Sequence, residues 1–330
     1  MHVVARDPLH GESMAHVLKD SGAEIREAKG KGARYEVILN LVLTSREEVG
    51  GVASAVGGQI AKIRDLMAQW SGSPVQWNAS NGVSVNYVDR APRSGSSQLV
   101  VVFSSIRSKR YWLDFGGPHG ESMRGVRGRV LFILDDVGGE YCYNLRRHGE
   151  ADVEAATLEF LRFYIEKYQV STRDIVLCGM SKGATAAICL GSRLPGVRVL
   201  ASVPQMQLGT YLAQRGDGIF KHMYGVDPNV QTVAEADDFV PARLRELIAR
   251  GDRAVVLTSE ADSNCFDVLV DGIARWRGGD NLDLVVVSSS SVVDHTSTLR
   301  FVTPAFLGWL SLFCVAMPPV DLGRLVPVRD

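Results

Sequence analysis

The chain has 330 residues and a formal net charge of −1, with 46% apolar and 22% charged residues. This length accommodates one large α/β domain with a small appendage. The near-neutral charge gives no electrostatic basis for binding nucleic acid or an anionic membrane, so we expect neither as a partner.

The five cysteines are widely spaced and include no C-x-x-C pair, which predicts free, buried thiols in a reducing compartment. The first residues lack the basic and apolar segments of a signal peptide, so we expect a cytoplasmic location. The most apolar window, residues 305–317, is shorter than the roughly 20 residues that cross a bilayer. We expect this window to form a packed terminal helix, and we expect no membrane span.

Residues 1–80 contain one apolar run, at 35–43, and a helical pattern at 59–70. We interpret residues 1–80 as a small accessory segment. Their glycines complete neither the G-x-G-x-x-G pattern nor the phosphate-loop pattern, so no nucleotide site is expected. The rest of the sequence indicates no other cofactor.

Residues 81–330 alternate between strand and helix patterns. Two strand runs, 99–103 and 130–134, are continuously apolar, which is typical of strands covered on both faces. Further strand runs follow at 254–258 and 284–288. The alternation predicts an α/β domain with a doubly wound, mostly parallel sheet and helices on both faces. A long polar and aromatic segment predicts a cap insertion at about 205–250.

Residues 174–190 combine an apolar strand run, the pattern Gly179-Met180-Ser181-Lys182-Gly183 and a helix of small residues. The pattern G-x-S-x-G is typical of a nucleophile elbow, a strained strand-to-helix turn that exposes the serine hydroxyl. A side chain at either glycine would collide with a neighbouring strand or helix. We therefore predict that Ser181 is a nucleophile. The alternative is a structural turn with an incidental serine.

A serine hydroxyl needs a base to become a nucleophile, usually an imidazole that a carboxylate orients. With this elbow, the acid and then the histidine follow later strands of the sheet. His295 follows the run at 284–288 and is the predicted base. Asp262 is the preferred acid because it lies beyond the end of its strand, while Glu260 and Asp294 remain alternatives. Asp294 otherwise caps the following helix.

The oxyanion of an acyl-transfer reaction needs two hydrogen-bond donors. We expect the first from the backbone N–H of Lys182 and the second from Ser104 or Ser105, unless these serines are plain turn residues. The Lys182 ammonium is expected to be solvated or to hold an anionic group of the substrate.

Asp135 and Asp136 follow another strand, and Tyr143 lies shortly after them, so these residues would face the same crevice. No third ligand of matched spacing follows, so we expect no metal, and we expect the aspartates to shape the loop through hydrogen bonds. In the predicted cap, Met206 and Tyr211 are candidates for lining an acyl or sugar pocket, and burial in the cap's own core is the alternative.

These residues together resemble an α/β-hydrolase-fold protein. More narrowly, the elbow at 179–183, the run Val101-Val-Phe-Ser-Ser105 and Leu134-Asp-Asp136 with Tyr143 resemble two groups of proteins. They are the XcbB/CpsF-type capsular polysaccharide biosynthesis family and the serine-hydrolase-like proteins of accessory secretion systems. Ala184 departs from the family, which has a second glycine there, and the N-terminal segment has no counterpart.

That resemblance covers about residues 83–315 and implies acyl-ester chemistry on glycans, as acetyl transfer or removal. It matches Ser181, Asp262 and His295 to the positions of a catalytic triad. We therefore expect an enzyme that forms an acyl-Ser181 intermediate from a small-molecule or glycan ester and passes the acyl group to water or an alcohol. The alternative is a non-catalytic component of a polysaccharide biosynthesis or secretion assembly.

Overall fold

The computed structural model divides the chain into two compact units, Met1–Trp70 and Ser71–Asp330. It describes residues 2–5, 24–28, 34–38, 74–92, 96–106, 113–115, 123, 126–275, 281–314 and 325–329.

The first unit contains an antiparallel sheet of β1 (His2–Ala5), β2 (Glu24–Ala28) and β3 (Arg34–Ile38), with β3 in the middle. β3 covers the start of the apolar run at 35–43. The helix predicted at 59–70 lies outside the described residues.

The second unit contains a sheet of nine described strands, in the spatial order β12-β11-β10-β9-β8-β6-β7-β5-β4. The strands are β4 (Val75–Asn78), β5 (Ser84–Arg90), β6 (Leu99–Phe103), β7 (Arg129–Leu134), β8 (Ile175–Met180), β9 (Arg198–Ser202), β10 (Ala254–Ser259), β11 (Leu282–Ser288) and β12 (Leu325–Arg329).

β5 runs antiparallel to both β4 and β7, and the other neighbouring pairs are parallel. The mostly parallel sheet is therefore confirmed. β4 pairs with β5 although it lies in the segment predicted to be accessory. The boundary between the units consequently falls at residue 70, about ten residues earlier than the predicted boundary at 80.

Seven α-helices are described in the second unit. They are α1 (Asp152–Tyr168), α2 (Lys182–Gly191), α3 (Leu208–Arg215), α4 (Ile219–Tyr224), α5 (Val230–Ala249), α6 (Ser263–Arg275) and α7 (His295–Cys314).

The two faces of the sheet have separate hydrophobic clusters, because successive residues of a strand point to opposite faces. In β6, Val101 and Phe103 belong to one cluster, and Val100 and Val102 belong to the other. The first cluster includes buried residues of α1, α2 and α5, and the second includes those of α7. Helices therefore cover both faces, as predicted.

The segment predicted as a cap insertion, at about 205–250, contains α3, α4 and α5. α5 begins at a capping box in which Asn229 Oδ1 accepts the N–H of Thr232 over 3.0 Å and Thr232 Oγ1 accepts the N–H of Asn229 over 3.1 Å. Its residues Val240 and Leu244 are fully buried in the same cluster as α2. α5 packs against α2 and α3. α3 and α4 also contribute buried residues to this cluster, among them Leu212 and Phe220, so all three helices of the segment are anchored in the core of the second unit.

Among the described residues, α7 is the one helix that is long and apolar enough to cross a membrane by length and composition. Here it packs on the sheet, with Val302, Phe306 and Leu310 buried in the second cluster. The predicted packed terminal helix is therefore confirmed for residues 305–314, and residues 315–317 lie outside the described ones.

Candidate active site

Ser181 stands at the sharp turn between β8 and α2, where its backbone has φ 53° and ψ −120°. This conformation is strained for a residue with a side chain, and such strain is concentrated at functional sites. The Ser181 N–H donates to the Ser202 carbonyl of β9 over 2.8 Å, and the Ser181 carbonyl accepts the N–H groups of Ala184 and Thr185. The strand-to-helix turn expected from the sequence is therefore present.

Both glycines of the elbow lie too close to other backbone atoms to carry a side chain. A Cβ atom at Gly179 would contact the Gly183 carbonyl group and lie 2.9 Å from the Ala184 nitrogen. A Cβ atom at Gly183 would contact the Phe103 carbonyl oxygen and lie 2.8 Å from the carbonyl carbon. The steric reason for the two glycines is thus the close approach of the turn to itself and to β6.

Ser181, His295 and Asp262 come together from turns that follow β8, β11 and β10. Ser181 Oγ lies 3.0 Å from His295 Nε2, and His295 Nδ1 lies 2.7 Å from Asp262 Oδ2. Because the Asp262 carboxylate can only accept the Nδ1 proton, the hydrogen-bond network assigns Nε2 as the acceptor for the serine hydroxyl. The arrangement can therefore take a proton from Ser181 and stabilise the imidazolium that results.

Helix starts position the histidine and its acid. Asp262 is 4% exposed and immediately precedes α6. Asp294 precedes α7, and its Oδ1 accepts the N–H of Ser297 over 2.7 Å, which is the geometry of an N-cap. His295 is the first residue of α7, so this cap fixes the backbone that carries the imidazole.

The two alternative acids lie elsewhere. Asp294 is exposed, and hydrogen bonds from the Ser297 backbone and hydroxyl lower the pKa of its carboxyl below the ordinary value. Glu260 is also exposed. Among the three candidates, Asp262 is the acid in hydrogen-bond contact with His295.

The Lys182 side chain is fully buried, so the expectation that it is solvated or holds a substrate anion is wrong. Its Nζ lies 2.9 Å from Asp135 Oδ2 and 3.4 Å from Ser104 Oγ, and it lies over the ring of Tyr141. The ion pair connects the elbow after β8 to the loop after β7, across the end of β6. Lys182 therefore acts structurally through its side chain.

Asp135 shapes its loop through hydrogen bonds, as predicted. Its carboxylate accepts the N–H groups of Cys142 and Tyr143 over 3.1 and 2.8 Å, in addition to the Lys182 ammonium. Burial alone would raise the pKa of Asp135, but Lys182 and the hydrogen bonds from Cys142 outweigh burial and lower it. Across the described residues, no group of three or more His, Cys, Asp or Glu side chains is arranged to hold a metal.

The predicted second oxyanion donor is not available at Ser104 or Ser105. The Ser104 N–H donates to the Ile133 carbonyl over 3.1 Å. The Ser105 N–H and hydroxyl both donate to the carboxylate of Asp114, which is buried beside them. Both serines thus hold the loop after β6 in place, which corrects their expected role.

Gln205 contacts the candidate nucleophile and is not singled out by the sequence reasoning. It lies just after β9, is 1% exposed and places its side-chain Nε2 2.5 Å from Ser181 Oγ. The sequence feature that could have identified Gln205 is its position, since it is a polar residue just beyond the carboxyl end of β9, the strand that pairs with β8.

Of the three predicted substrate-binding residues, Tyr211 lies beside the site. Its ring centroid is 6.3 Å from that of His295, and its side chain is half-buried. Tyr143 and Met206 are fully buried in the first hydrophobic cluster, where they offer no open surface to a substrate. Burial in the core, the alternative for Met206, is therefore what the structure shows, and Tyr143 is corrected to a core residue.

The sheet order, with its antiparallel second strand and an elbow at the fifth, defines the α/β-hydrolase fold. Among solved structures, the chain is similar to a glycosylation-associated protein (Gap123) complex from Streptococcus agalactiae, with a TM-score of 0.61 and 15% identity. That match covers 77% of this chain and 48% of the other chain, so this chain spans about half the length of that relative.

Two enzymes are also similar in structure. A capsule O-acetyltransferase from Neisseria meningitidis serogroup A matches with a TM-score of 0.55 and 14% identity, over 72% of this chain and 93% of that one. An esterase from Pyrococcus furiosus matches with a TM-score of 0.52 and 14% identity, over 73% and 89%. No family model and no curated protein matches the sequence. At these identities the likeness establishes the shared fold.

Proposed function

We propose that this chain is a serine-dependent acyl-ester enzyme that works through an acyl-Ser181 intermediate. The observation that carries the proposal is the continuous contact from Ser181 Oγ to His295 Nε2 at 3.0 Å and from His295 Nδ1 to Asp262 at 2.7 Å. The strained elbow supports it, because a rigid turn holds the hydroxyl in place while the base approaches from another loop.

In the first half of the proposed reaction, Ser181 Oγ attacks the carbonyl carbon of an ester while His295 Nε2 accepts the hydroxyl proton. The carbonyl π bond becomes an oxyanion, and the Asp262 carboxylate stabilises the imidazolium. When the tetrahedral intermediate collapses, the ester C–O bond breaks and His295 returns the proton to the departing alcohol. The acyl group is then bonded to Ser181.

In the second half, water or an acceptor alcohol attacks the acyl-serine, again with His295 as the base. Collapse of this intermediate releases an acid or a new ester and restores the Ser181 hydroxyl. Hydrolysis and acyl transfer use the same three residues, and the incoming nucleophile distinguishes them.

We favour a glycan as the substrate. Its hydroxyl group would accept the acyl group in transfer, or its ester would supply the acyl group in hydrolysis. Support comes from the resemblance to capsular polysaccharide proteins and from the likeness in fold to a capsule O-acetyltransferase. Tyr211 provides a half-buried aromatic side chain beside His295, with 6.3 Å between the ring centroids, as a surface for a sugar ring.

A second candidate function is a non-catalytic component of a glycan-modifying or secretion assembly. The observation that favours it is the likeness to a chain of a glycosylation-associated complex, of which this chain covers 48%. In that case the contact between Ser181 and His295 would be a remnant without turnover.

The two candidates are separated by an electrophilic fluorophosphonate probe followed by intact mass measurement. For an enzyme, we expect one phosphonyl adduct, formed as Ser181 Oγ displaces fluoride and His295 takes the proton. Hydrolysis of p-nitrophenyl acetate gives a parallel readout, and added alcohols with a short sugar panel test transfer.

Ser181→Ala should remove both labelling and turnover without changing thermal stability, because only one hydroxyl is lost. Ser192→Ala is a matched control, since this buried hydroxyl donates to the Cys189 carbonyl outside the site. A wild-type chain that folds but shows neither labelling nor turnover would favour the non-catalytic component.

A further inference from the structure

The Gln205 side chain and the His295 imidazole both contact the hydroxyl of the candidate nucleophile. Gln205 Nε2 is 2.5 Å from Ser181 Oγ, whereas His295 Nε2 is 3.0 Å from the same atom. The serine hydroxyl has one hydrogen, which it donates to His295, and lone pairs that accept from an amide N–H. Gln205 is therefore placed as a donor to the reacting oxygen.

The orientation of the Gln205 amide is fixed by Thr185 on α2. The Gln205 backbone N–H donates to Thr185 Oγ1 over 2.9 Å, which occupies that hydroxyl as an acceptor. Thr185 Oγ1 lies 3.3 Å from Gln205 Oε1, to which its hydroxyl can donate, and this acceptor is nearer than the carbonyl oxygens of Ser181 and Gln205, each at 3.5 Å. If Oε1 accepts from Thr185, the other atom of the amide, Nε2, faces Ser181 Oγ. The hydrogen-bond network thus decides which end of the amide is the nitrogen.

The backbone that delivers Gln205 is strained. Val203 has φ 52°, a conformation that is a clear outlier for a β-branched residue. Its N–H donates to the Leu257 carbonyl of β10 over 2.7 Å, so hydrogen bonding to the sheet holds the outlier in place. Two strained residues, Ser181 and Val203, thus stand at the ends of the adjoining strands β8 and β9, as is common at functional sites.

The usual source of the second oxyanion donor is the loop after an earlier central strand, and here that loop has no free candidate at the expected serines. The Ser104 N–H binds Ile133, and the Ser105 N–H binds Asp114. A site for acyl transfer still needs a second donor beside the Lys182 N–H, and asparagine or glutamine side chains supply one in other enzymes.

We propose that the Gln205 side-chain amide is the second oxyanion donor of this site, an inference that rests on the proposed acyl-ester function. Nε2 carries two hydrogens, so one can remain on Ser181 Oγ while the other meets the oxyanion on the carbon that Oγ attacks. Gln205 transfers no proton in this step. It stabilises the negative charge that leaves the carbonyl π bond, together with the Lys182 N–H.

The test compares Gln205→Ala and Gln205→Glu with the wild type. Loss of one oxyanion donor costs about 10²- to 10³-fold in kcat, with little change in KM, because the contact forms mainly in the transition state. Gln205→Glu should lose at least as much near neutral pH, since a carboxylate of the same size has no N–H and repels the oxyanion. Gln207→Ala is the control, because its side chain is half-buried outside these contacts.

A second readout separates donation to the oxyanion from a structural role. Phenylboronic acid forms a tetrahedral adduct with an active serine, so its affinity should fall in Gln205→Ala by a factor similar to the fall in kcat/KM. Thermal unfolding of each variant checks that the fold is retained.

The outcomes are distinguishable. If the wild type is active and Gln205→Ala keeps kcat and boronate affinity within about threefold, the Gln205 assignment is overturned while the proposed function stands. Gln205→Ala could lose activity only because it unfolds. In that case Gln205→Glu, which preserves the side-chain volume, is the deciding variant, and full activity of this variant overturns the Gln205 assignment. If the wild type shows neither labelling nor turnover, the proposed function fails and the Gln205 assignment fails with it.

Discussion

Asp262 accepts a hydrogen bond from His295 Nδ1 over 2.7 Å, whereas Asp294, the neighbour of His295 in sequence, binds the N–H of Ser297 over 2.7 Å. Two aspartates near one imidazole thus have different tasks. One contacts the ring and the other fixes the start of the helix that carries it.

Asp262→Asn is expected to lower kcat for ester hydrolysis by about 10⁴-fold, because an amide in place of the carboxylate favours the wrong imidazole tautomer. Asp294→Asn keeps the side-chain oxygen that caps α7 and should retain nearly full kcat. Glu260→Gln, at an exposed position, should also retain it. Steady-state kinetics with thermal unfolding checks all three variants. A crippled Asp294→Asn beside a normal Asp262→Asn would reverse the assignment of the acid.

Gly183→Ala is expected to give insoluble or strongly destabilised protein, because the added methyl group would overlap the Phe103 carbonyl. Gly308→Ala is a matched control in α7, where a Cβ atom meets nothing within 4 Å. This control should gain about 0.5–1 kcal/mol, the usual benefit of alanine over glycine in a helix. Expression yield and urea unfolding measure both. A soluble, fully stable Gly183→Ala protein would mean that the elbow backbone can move away from β6.

Lys182→Met is expected to cost about 3–5 kcal/mol of unfolding free energy, because it leaves Asp135 buried without its cation. Adding Asp135→Asn to Lys182→Met should recover part of this loss, since the double variant no longer buries an unpaired charge. Urea unfolding of the single and double variants tests the coupling. If the double variant loses as much free energy of unfolding as the two single variants together, the two side chains are not energetically coupled.

The sign of the pH dependence follows from the lowered pKa of Asp135. Ion pairing in the wild type stabilises the fold above the ordinary aspartate pKa of about 3.9, and this stabilisation is lost as the pH falls through the lower native value. In Lys182→Met the buried carboxyl prefers its neutral form. The difference in free energy of unfolding between Lys182→Met and the wild type should therefore be largest near neutral pH and should become smaller in acid.

The thiols are expected to resist alkylation in the native protein. Burial raises the pKa of four buried cysteines well above the ordinary range, and it raises the pKa of the half-buried Cys314 to about 11. Iodoacetamide near neutral pH should add five groups to the unfolded chain and almost none to the folded chain, as counted by intact mass. Fast native labelling of any buried cysteine would contradict its place in the core.

The predictable parts of this molecule are those in which a local pattern determines the structure. β6 and β8 are short apolar runs because both of their faces are covered, and the elbow follows from two glycines that flank Ser181. β4 gives no such pattern, since it is an edge strand whose residues are mostly exposed. Its place in the sheet depends on pairing with β5, which composition does not encode.

The contacts of polar residues were harder to predict because their partners lie far away in sequence. Lys182 and Asp135 are 47 residues apart and meet because β7 and β8 both adjoin β6. Gln205 reaches Ser181 from 24 residues away through an outlier at Val203. His295 and Asp262 could be paired from their residue types and their places after successive strands. The partners of Gln205 and Lys182 follow only from the order of the strands in the sheet.

α2 and α7 cover opposite faces of the sheet, and their first turns carry Ser181 at the N-cap and His295, which are 114 residues apart. During synthesis the elbow therefore emerges long before the imidazole. A nascent or truncated chain that ends before α7 has a serine without its base, and loss of α7 would also uncover one face of the sheet. Labelling of Ser181 would consequently report that synthesis has passed the start of α7 and that this helix has docked on its face of the sheet.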